Sequence, residues 1–162
     1  MLSKNEFKDV YDVHFDAIRS FVYYRCGDRE TASDVAQDVF MKVWEKRSFL
    51  NSTHLKSLLY KMAMDFHVDT YRKELCRMNF EQSMTATENT AFSPEEEMAF
   101  NELAAAYSKA LGEMTEKQRT VFLLNREDGM KYAEIADCLQ ISVKMVEKYI
   151  SAALRLLRTK LL

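Results

Sequence analysis

Three glycines and one proline in 162 residues leave little material for tight hairpins or phosphate-cradling loops. A chain poor in both, and rich in Leu, Ala, Glu, Lys and Met, suits helices joined by short connections. No window alternates apolar and polar residues as a half-buried strand does, and no strand-turn-strand signal is present. Long apolar runs are missing as well. Nothing approaches the roughly 18 residues needed to span a bilayer, and residues 1–15 are too charged for a signal peptide. The expectation is a soluble, cytoplasmic, all-α protein.

Paired cysteines are also lacking. Cys26, Cys76 and Cys138 are odd in number and far apart, with no Cys/Cys or Cys/His ligand spacing, so they read as small buried apolar residues. His14, His54 and His67 show no ligand spacing either. There is no Ser/His/Asp set and no Gly-rich phosphate loop, and the scattered carboxylates fall mostly on helix surfaces. Neither an enzyme, a metal centre nor a cofactor is expected. The net charge of −2 argues against a globally basic nucleic-acid coat but permits a local basic face.

What is present is helical periodicity in two blocks. Length allows about one domain, or two small ones of roughly 70 to 80 residues each. Phe7, Val10, Tyr11, His14, Phe15, Ile18, Phe21 and Val22 recur at spacings of three and four, predicting a helix over residues 6–26. Gly27 stops it and Asp28 can cap the next. That second helix runs to about residue 46, with Val35, Val39, Phe40, Val43 and Trp44 inward. A loop over 47–52 precedes a third helix, predicted over 53–77 and capped from Asn51 or Ser52. Periodicity then fades. Residues 77–97 hold one basic residue against five acidic ones, marking a flexible acidic linker over 78–94.

The second block restarts at Ser93-Pro94-Glu95-Glu96, a capping box with proline in the first turn. Met98, Leu103, Ala106, Tyr107 and Leu111 are expected to supply its apolar face. Thr115 to Gln118 forms a second capping box, and two more helices follow, over 131–139 and 143–160. The prediction is therefore two helical domains, of three and four helices.

The last two helices carry the strongest local signal. Ile135, Ala136 and Leu139 form one inward face, Ile141 plugs the turn, and Val143, Val146, Ile150 and Leu154 are expected inward on the second helix. Small Ala136 lets the helices cross closely, as a helix-turn-helix requires. Ser142 can cap the second helix, leaving Lys144, Met145, Lys148, Ser151 and Arg155 on its outer face. Such a helix fits a major groove, and Lys131 at the start of the first helix can add a phosphate contact. Residues 130–162 hold six basic residues against three acidic ones, so this segment is basic in an acidic chain. A two-helix hairpin with a merely solvated cationic face fits the same pattern. Gln140 stands where this turn often takes glycine in a left-handed conformation, at a cost.

At these residues the chain resembles the −35-binding domain of extracytoplasmic-function (ECF) sigma factors, in a Bacteroidetes-like form. Met130-Lys-Tyr-Ala-Glu-Ile-Ala and Ile141-Ser-Val-Lys-Met-Val-Glu-Lys-Tyr-Ile carry the likeness, with Leu111-Gly-Glu-Met-Thr-Glu-Lys-Gln-Arg-Thr-Val-Phe before them. The first block resembles the family's other domain. Asp34-Val-Ala-Gln37-Asp38-Val-Phe40-Met-Lys-Val-Trp44 is similar to the segment that grips the largest subunit of core RNA polymerase. Asp34, Gln37, Asp38 and Met41 share one helix side there. Residues 58–73 resemble the helix that recognises the melted −10 element, where aromatics stack on bases and cations hold the backbone.

By that resemblance Tyr60, Lys61, Arg72 and Lys73 serve the −10 site, and Asn51, Ser52 and His54 line a loop that receives a flipped-out base. Asp65, Met145 and Tyr149 depart from the family pattern. The resemblance implies a sigma region 2-like domain over 1–77 and a region 4-like domain over 95–162. It also implies core polymerase and promoter DNA as partners, and an anti-sigma factor, often membrane-bound. A stand-alone helix-turn-helix regulator with a helical sensor or dimerisation domain remains the alternative; it would form symmetric dimers on palindromic half-sites. A helical scaffold would bind no DNA at all.

Overall fold

The computed structural model describes residues 1–66, 70–82 and 93–162, and among these it contains eight α-helices and no strand. They are α1 (Lys4–Cys26), α2 (Arg29–Glu45), α3 (Leu55–Met64), α4 (Thr70–Gln82), α5 (Pro94–Glu113), α6 (Glu116–Arg126), α7 (Tyr132–Leu139) and α8 (Val143–Leu161). A 3-10 turn over Arg47–Phe49 links α2 to the loop before α3. None of the described helices is long and apolar enough to cross a membrane.

Most helix starts follow the capping chemistry. The Asp28 carboxylate accepts from the Glu30 amide, and Ser93 and Thr115 form reciprocal capping boxes with Glu96 and Gln118. Ser3 builds another with Glu6, so α1 begins at Lys4, two residues ahead of its expected start. Gly27 ends α1 in the left-handed conformation, at φ 67°. A side chain there would also press on Cys76, whose Cα lies 3.0 Å from the position of a Cβ. α4 therefore passes tightly under the end of α1.

The expected third helix, 53–77, is two helices. Leu55, Leu59, Tyr60 and Ala63 line the buried face of α3, whereas α4 buries Cys76 and Phe80. In one continuous helix Cys76 would sit about 0.6 turn out of phase with Ala63, so a change of direction is needed to bury both. α3 starts at Leu55 with His54 as its N-cap, and neither Asn51 nor Ser52 caps it. The Asn51 side chain accepts from the Thr53 amide instead. α4 continues to Gln82, beyond the expected helix end at 77. Most of the expected linker, 83–92, lies outside the described residues, as do 67–69 within the −10-like segment.

Apolar faces were expected further out than they are found. Met98 and Leu103 are exposed on the first half of α5, and only its last turns are buried. On α8 the inward stripe runs Val146, Ile150, Ala153, Leu157. Val143, in the first turn of α8, is exposed, and Leu154 lies outside the stripe because one residue beyond Ala153 turns the side chain about 100° away. All three cysteines are free and buried.

The two blocks share one core. α1 packs on α6, α3 on α7 and α4 on α5, so buried side chains run continuously from Leu2 to Leu157.

Candidate functional site

Three surfaces and one seam carry the chemistry. The first surface is the outer face of α8. Ser142 caps this helix by accepting from the Met145 amide at 3.0 Å, and Gln140 before it adopts the left-handed conformation at φ 56°. The buried stripe fixes the helix rotation, so Lys144, Met145, Lys148, Ser151 and Arg155 are all exposed, and Lys131 is exposed at the start of α7. A capped, anchored helix with cations on its free side suits a duplex groove.

The second surface is α2. Asp34, Gln37, Asp38 and Met41 are all exposed along one side, with Met41 59% accessible. Ala36, Val39, Phe40 and Val43 are buried beneath them. Behind this face, Phe7 meets Trp44 at 5.0 Å and Tyr11 meets Phe40 at 5.2 Å, edge-on in both cases. The Arg47 guanidinium covers the Trp44 ring at 3.8 Å. The aromatic wall holds the acidic face rigid.

The third group surrounds α3. Asn51, Ser52, His54 and Lys61 are exposed, and His54 holds a positive φ of 61°. Arg72 lies over the Phe66 ring at 5.0 Å, with Lys73 exposed beside it on α4. Tyr60 is different. It is 1% exposed, edge-on to Phe21 at 5.1 Å, with its hydroxyl 4.0 Å from the Met130 sulfur. Burial pushes its phenol pKa far up. Its position corrects the expected open ring: Tyr60 belongs to the inward face of α3 and is covered by the second block.

The seam between the blocks is polar where it is deepest. From α6, Arg119 Nε donates to the Tyr24 carbonyl at 2.7 Å and Nη2 to that of Arg25 at 3.3 Å, both in the last turn of α1. Its Nη1 reaches the carbonyls of Leu111 and Met114, Nη2 also reaches Cys76 Sγ at 2.9 Å, and the guanidinium lies 4.8 Å from the centre of the Phe80 ring. Burial lowers the Arg119 pKa, and burial pushes the Cys76 thiol up to about 11, so the sulfur stays protonated. Carbonyls at a helix C-terminus carry partial negative charge, which suits a cation.

Arg25 pairs with Glu116 at 2.6 Å, and the Tyr24 hydroxyl donates to Asp128 at 2.6 Å. Further out, Ser57 donates to Asp137 at 3.2 Å and Lys56 pairs with Glu134 at 3.7 Å. Sequence reading assigned none of these residues a role. The one available signal was Arg119, a cation two residues before the apolar run 121–124. Among the described residues no group of His, Cys, Asp or Glu could hold a metal ion.

Two helical blocks, the second ending in a helix-turn-helix with a basic outer face, define a DNA-binding protein of transcription. The Sigma-70 region 2 family model matches residues 10–74 and the Sigma-70 region 4 model residues 104–157. The ferric citrate uptake sigma factor FecI of Escherichia coli K12 is 30% identical over 91% of this chain and 86% of its own length. The ECF RNA polymerase sigma factor SigW of Bacillus subtilis 168 is 26% identical over 98% of this chain and 90% of its own. The sigma factor RpoE of Bartonella quintana, solved in complex with the anti-sigma factor NepR, shares the fold. Its TM-score is 0.63 at 19% identity, with 96% of each chain covered. This chain belongs to the sigma-70 family as an ECF sigma factor, a non-enzymatic subunit that binds core RNA polymerase and directs transcription initiation at promoters.

Proposed function

We propose that the exposed surfaces divide the family's task as follows. α2 docks on core polymerase through Asp34, Gln37, Asp38 and Met41. α8 reads the −35 duplex through Lys144, Met145, Lys148, Ser151 and Arg155, with Lys131 and Ser142 on the flanking backbone. Asn51, Ser52, His54, Lys61, Arg72 and Lys73 handle the opened −10 strand, and Tyr60 supports α3 from the core beneath them. The region 2-like unit runs to the end of α4 at Gln82 rather than to 77, the region 4-like unit starts with α5 at Pro94, and the tether expected over 78–94 shortens to the residues between them. Two weak contacts on one chain gain from effective concentration.

The observation that carries this reading is the rotation of α8. Its apolar stripe is buried and its cations all face outward. The protein works in the cytoplasm, where polymerase and promoter meet. An anti-sigma protein, often a membrane-bound one in this family, is the remaining expected partner; the support is the Bartonella quintana RpoE, solved with NepR. Multi-round transcription with purified core enzyme on genomic promoter fragments tests the reading. Specific starts that appear only with this chain, and that weaken when Lys144 or Lys148 is replaced, are expected. Starts indifferent to every α8 substitution would refute the assignment of that face.

A further inference from the structure

We infer that a cavity in the seam is a binding site for a small organic carboxylate with an apolar body. The cavity encloses about 310 Å³ and takes its walls from both blocks. Phe21 of α1 and Val121 of α6 supply apolar wall, as do Leu139 and Ile141 on either side of the turn between α7 and α8. Tyr149 of α8 adds a half-buried phenol. At ~30 Å³ per liquid water the space equals about ten waters, which sets the occupant at roughly ten to thirteen non-hydrogen atoms. None of the residues proposed above for polymerase or promoter DNA lines the cavity, so the inference stands apart from those assignments.

The charge of the lining selects the chemistry. Arg25 and Glu116 both border the cavity, but they neutralise each other at 2.6 Å, and Arg25 also donates to the Ala63 carbonyl at 2.9 Å. Lys117, the next residue of α6, makes no ion pair among the described residues. It leaves the lining with one uncompensated positive charge. A ligand anion is the natural counterpart, and a ligand cation would meet like charge.

A second observation points the same way. Thr120 lines the cavity at 4% exposure, and its hydroxyl is the one buried side-chain polar atom without a hydrogen-bond partner among the described residues. Buried hydroxyls are nearly always bonded, so an orphan beside an open space marks a place for a guest. Residues three apart on a helix are neighbours, which sets the Lys117 ammonium and the Thr120 hydroxyl on one side of the cavity. An ionised carboxylate is an acceptor-only anion and answers both groups at once. Tyr149, one of the departures from the family pattern, is also in the lining, so the selectivity of the site is this chain's own. A guest held here touches both blocks and backs the turn of the helix-turn-helix.

Titration calorimetry on the full chain tests the site, with 3-phenylpropionate as the probe and 3-phenylpropanamide and 2-phenylethylammonium as its neutral and cationic counterparts. The carboxylate is expected to bind one per chain with a dissociation constant of about 1 mM, in keeping with its size. The other two should bind about fivefold more weakly or worse, and the carboxylate should raise the thermal midpoint as its concentration rises. Lys117 is exposed, so Lys117→Ala should leave the fold intact while removing the preference for the carboxylate. Thr120→Val keeps the side-chain shape; it should weaken the carboxylate about threefold yet raise the midpoint of the empty chain, because the orphaned hydroxyl is gone. Nuclear Overhauser contacts from the probe ring to the methyls of Val121, Leu139 and Ile141 should fix its position. No saturable binding, equal binding of the three probes, affinity unchanged in both variants, or contacts to methyls elsewhere would each overturn the inference.

Discussion

The Tyr24 hydroxyl and the Asp128 carboxylate, 104 residues apart in sequence, meet at 2.6 Å across the seam. Burial raises the Asp128 pKa, and the Tyr24 bond works in the other direction by favouring the charged form. A carboxyl whose folded pKa is raised contributes most to stability below its unfolded pKa, and that contribution is lost as pH rises through the folded value. At neutral pH the carboxylate is therefore held against its preference, and the phenol donor offsets part of the cost. Tyr24→Phe should destabilise the chain by about 1 kcal/mol at pH 7, less than a fully buried charged bond because this one is only part-buried. In an Asp128→Ala background the same change should cost close to nothing. Urea unfolding of the four proteins in this cycle measures the coupling. Additive losses would mean that the bond contributes nothing. Tyr24→Phe should also move the Asp128 pKa further up, visible by carboxyl NMR titration.

Lys148 stands on the exposed side of α8, one turn from Lys144, with Val146 and Ile150 anchoring the helix behind it. Lys148→Ala should weaken −35 duplex binding by about 1 kcal/mol, the low end for a lost specific contact. If the ammonium meets a phosphate, the log–log salt slope of binding should also fall by about 0.9. Fluorescence anisotropy of the polymerase-bound protein on labelled duplex, across a salt series, reads both. Unchanged affinity and slope would remove Lys148 from the interface.

Sequence patterns located most helices because their signals are local. Ser93 with Glu96, Thr115 with Gln118 and the left-handed Gln140 each depend on residues within one turn. The outer face of α8 was legible because its buried stripe repeats at helical spacing. What sequence could not show was anything needing two distant segments. The break between α3 and α4 follows from where Cys76 and Phe80 must pack, under the end of α1, and no Gly or Pro announces it. Tyr60 looked like an open stacking ring because its cover, Met130, comes 70 residues later. The seam was invisible for the same reason: Arg119 bonds to backbone carbonyls, and carbonyls have no sequence signature. An acidic stretch over 77–97 suggested loose tethering, yet the blocks on either side of it are packed together.

Charge reversal tests the α2 face. Asp34 and Asp38 lie one helical turn apart, both exposed, with no ion pair resolved to either among the described residues. Asp34→Lys with Asp38→Lys should abolish association with core polymerase, because juxtaposing like charges costs several kcal/mol at an interface. Exposed positions away from the core should leave stability nearly unchanged. Circular dichroism should match the unaltered chain while pull-down of core enzyme fails. Normal capture by the double variant would reject this docking face.

Gln140 carries the strain of the helix-turn-helix. Its φ of 56° is left-handed, a conformation that costs a residue with a Cβ roughly 1 kcal/mol or more. Part of that cost is offset locally, since Gln140 Nε2 donates to the Asp137 carbonyl at 2.7 Å. The residue is exposed and no major-groove role is assigned to it, so Gln140→Gly should act on stability alone. Removing the strain and the side-chain bond together leaves a net gain of about 0.5 kcal/mol. Glycine's larger unfolded-state entropy keeps the gain this small. Gln140→Ala, which loses the bond and keeps the strained backbone, should instead destabilise by a similar amount. Opposite signs for the two variants in thermal unfolding would identify backbone strain as the cause. A loss of stability with glycine would mean that the Nε2 bond outweighs the strain.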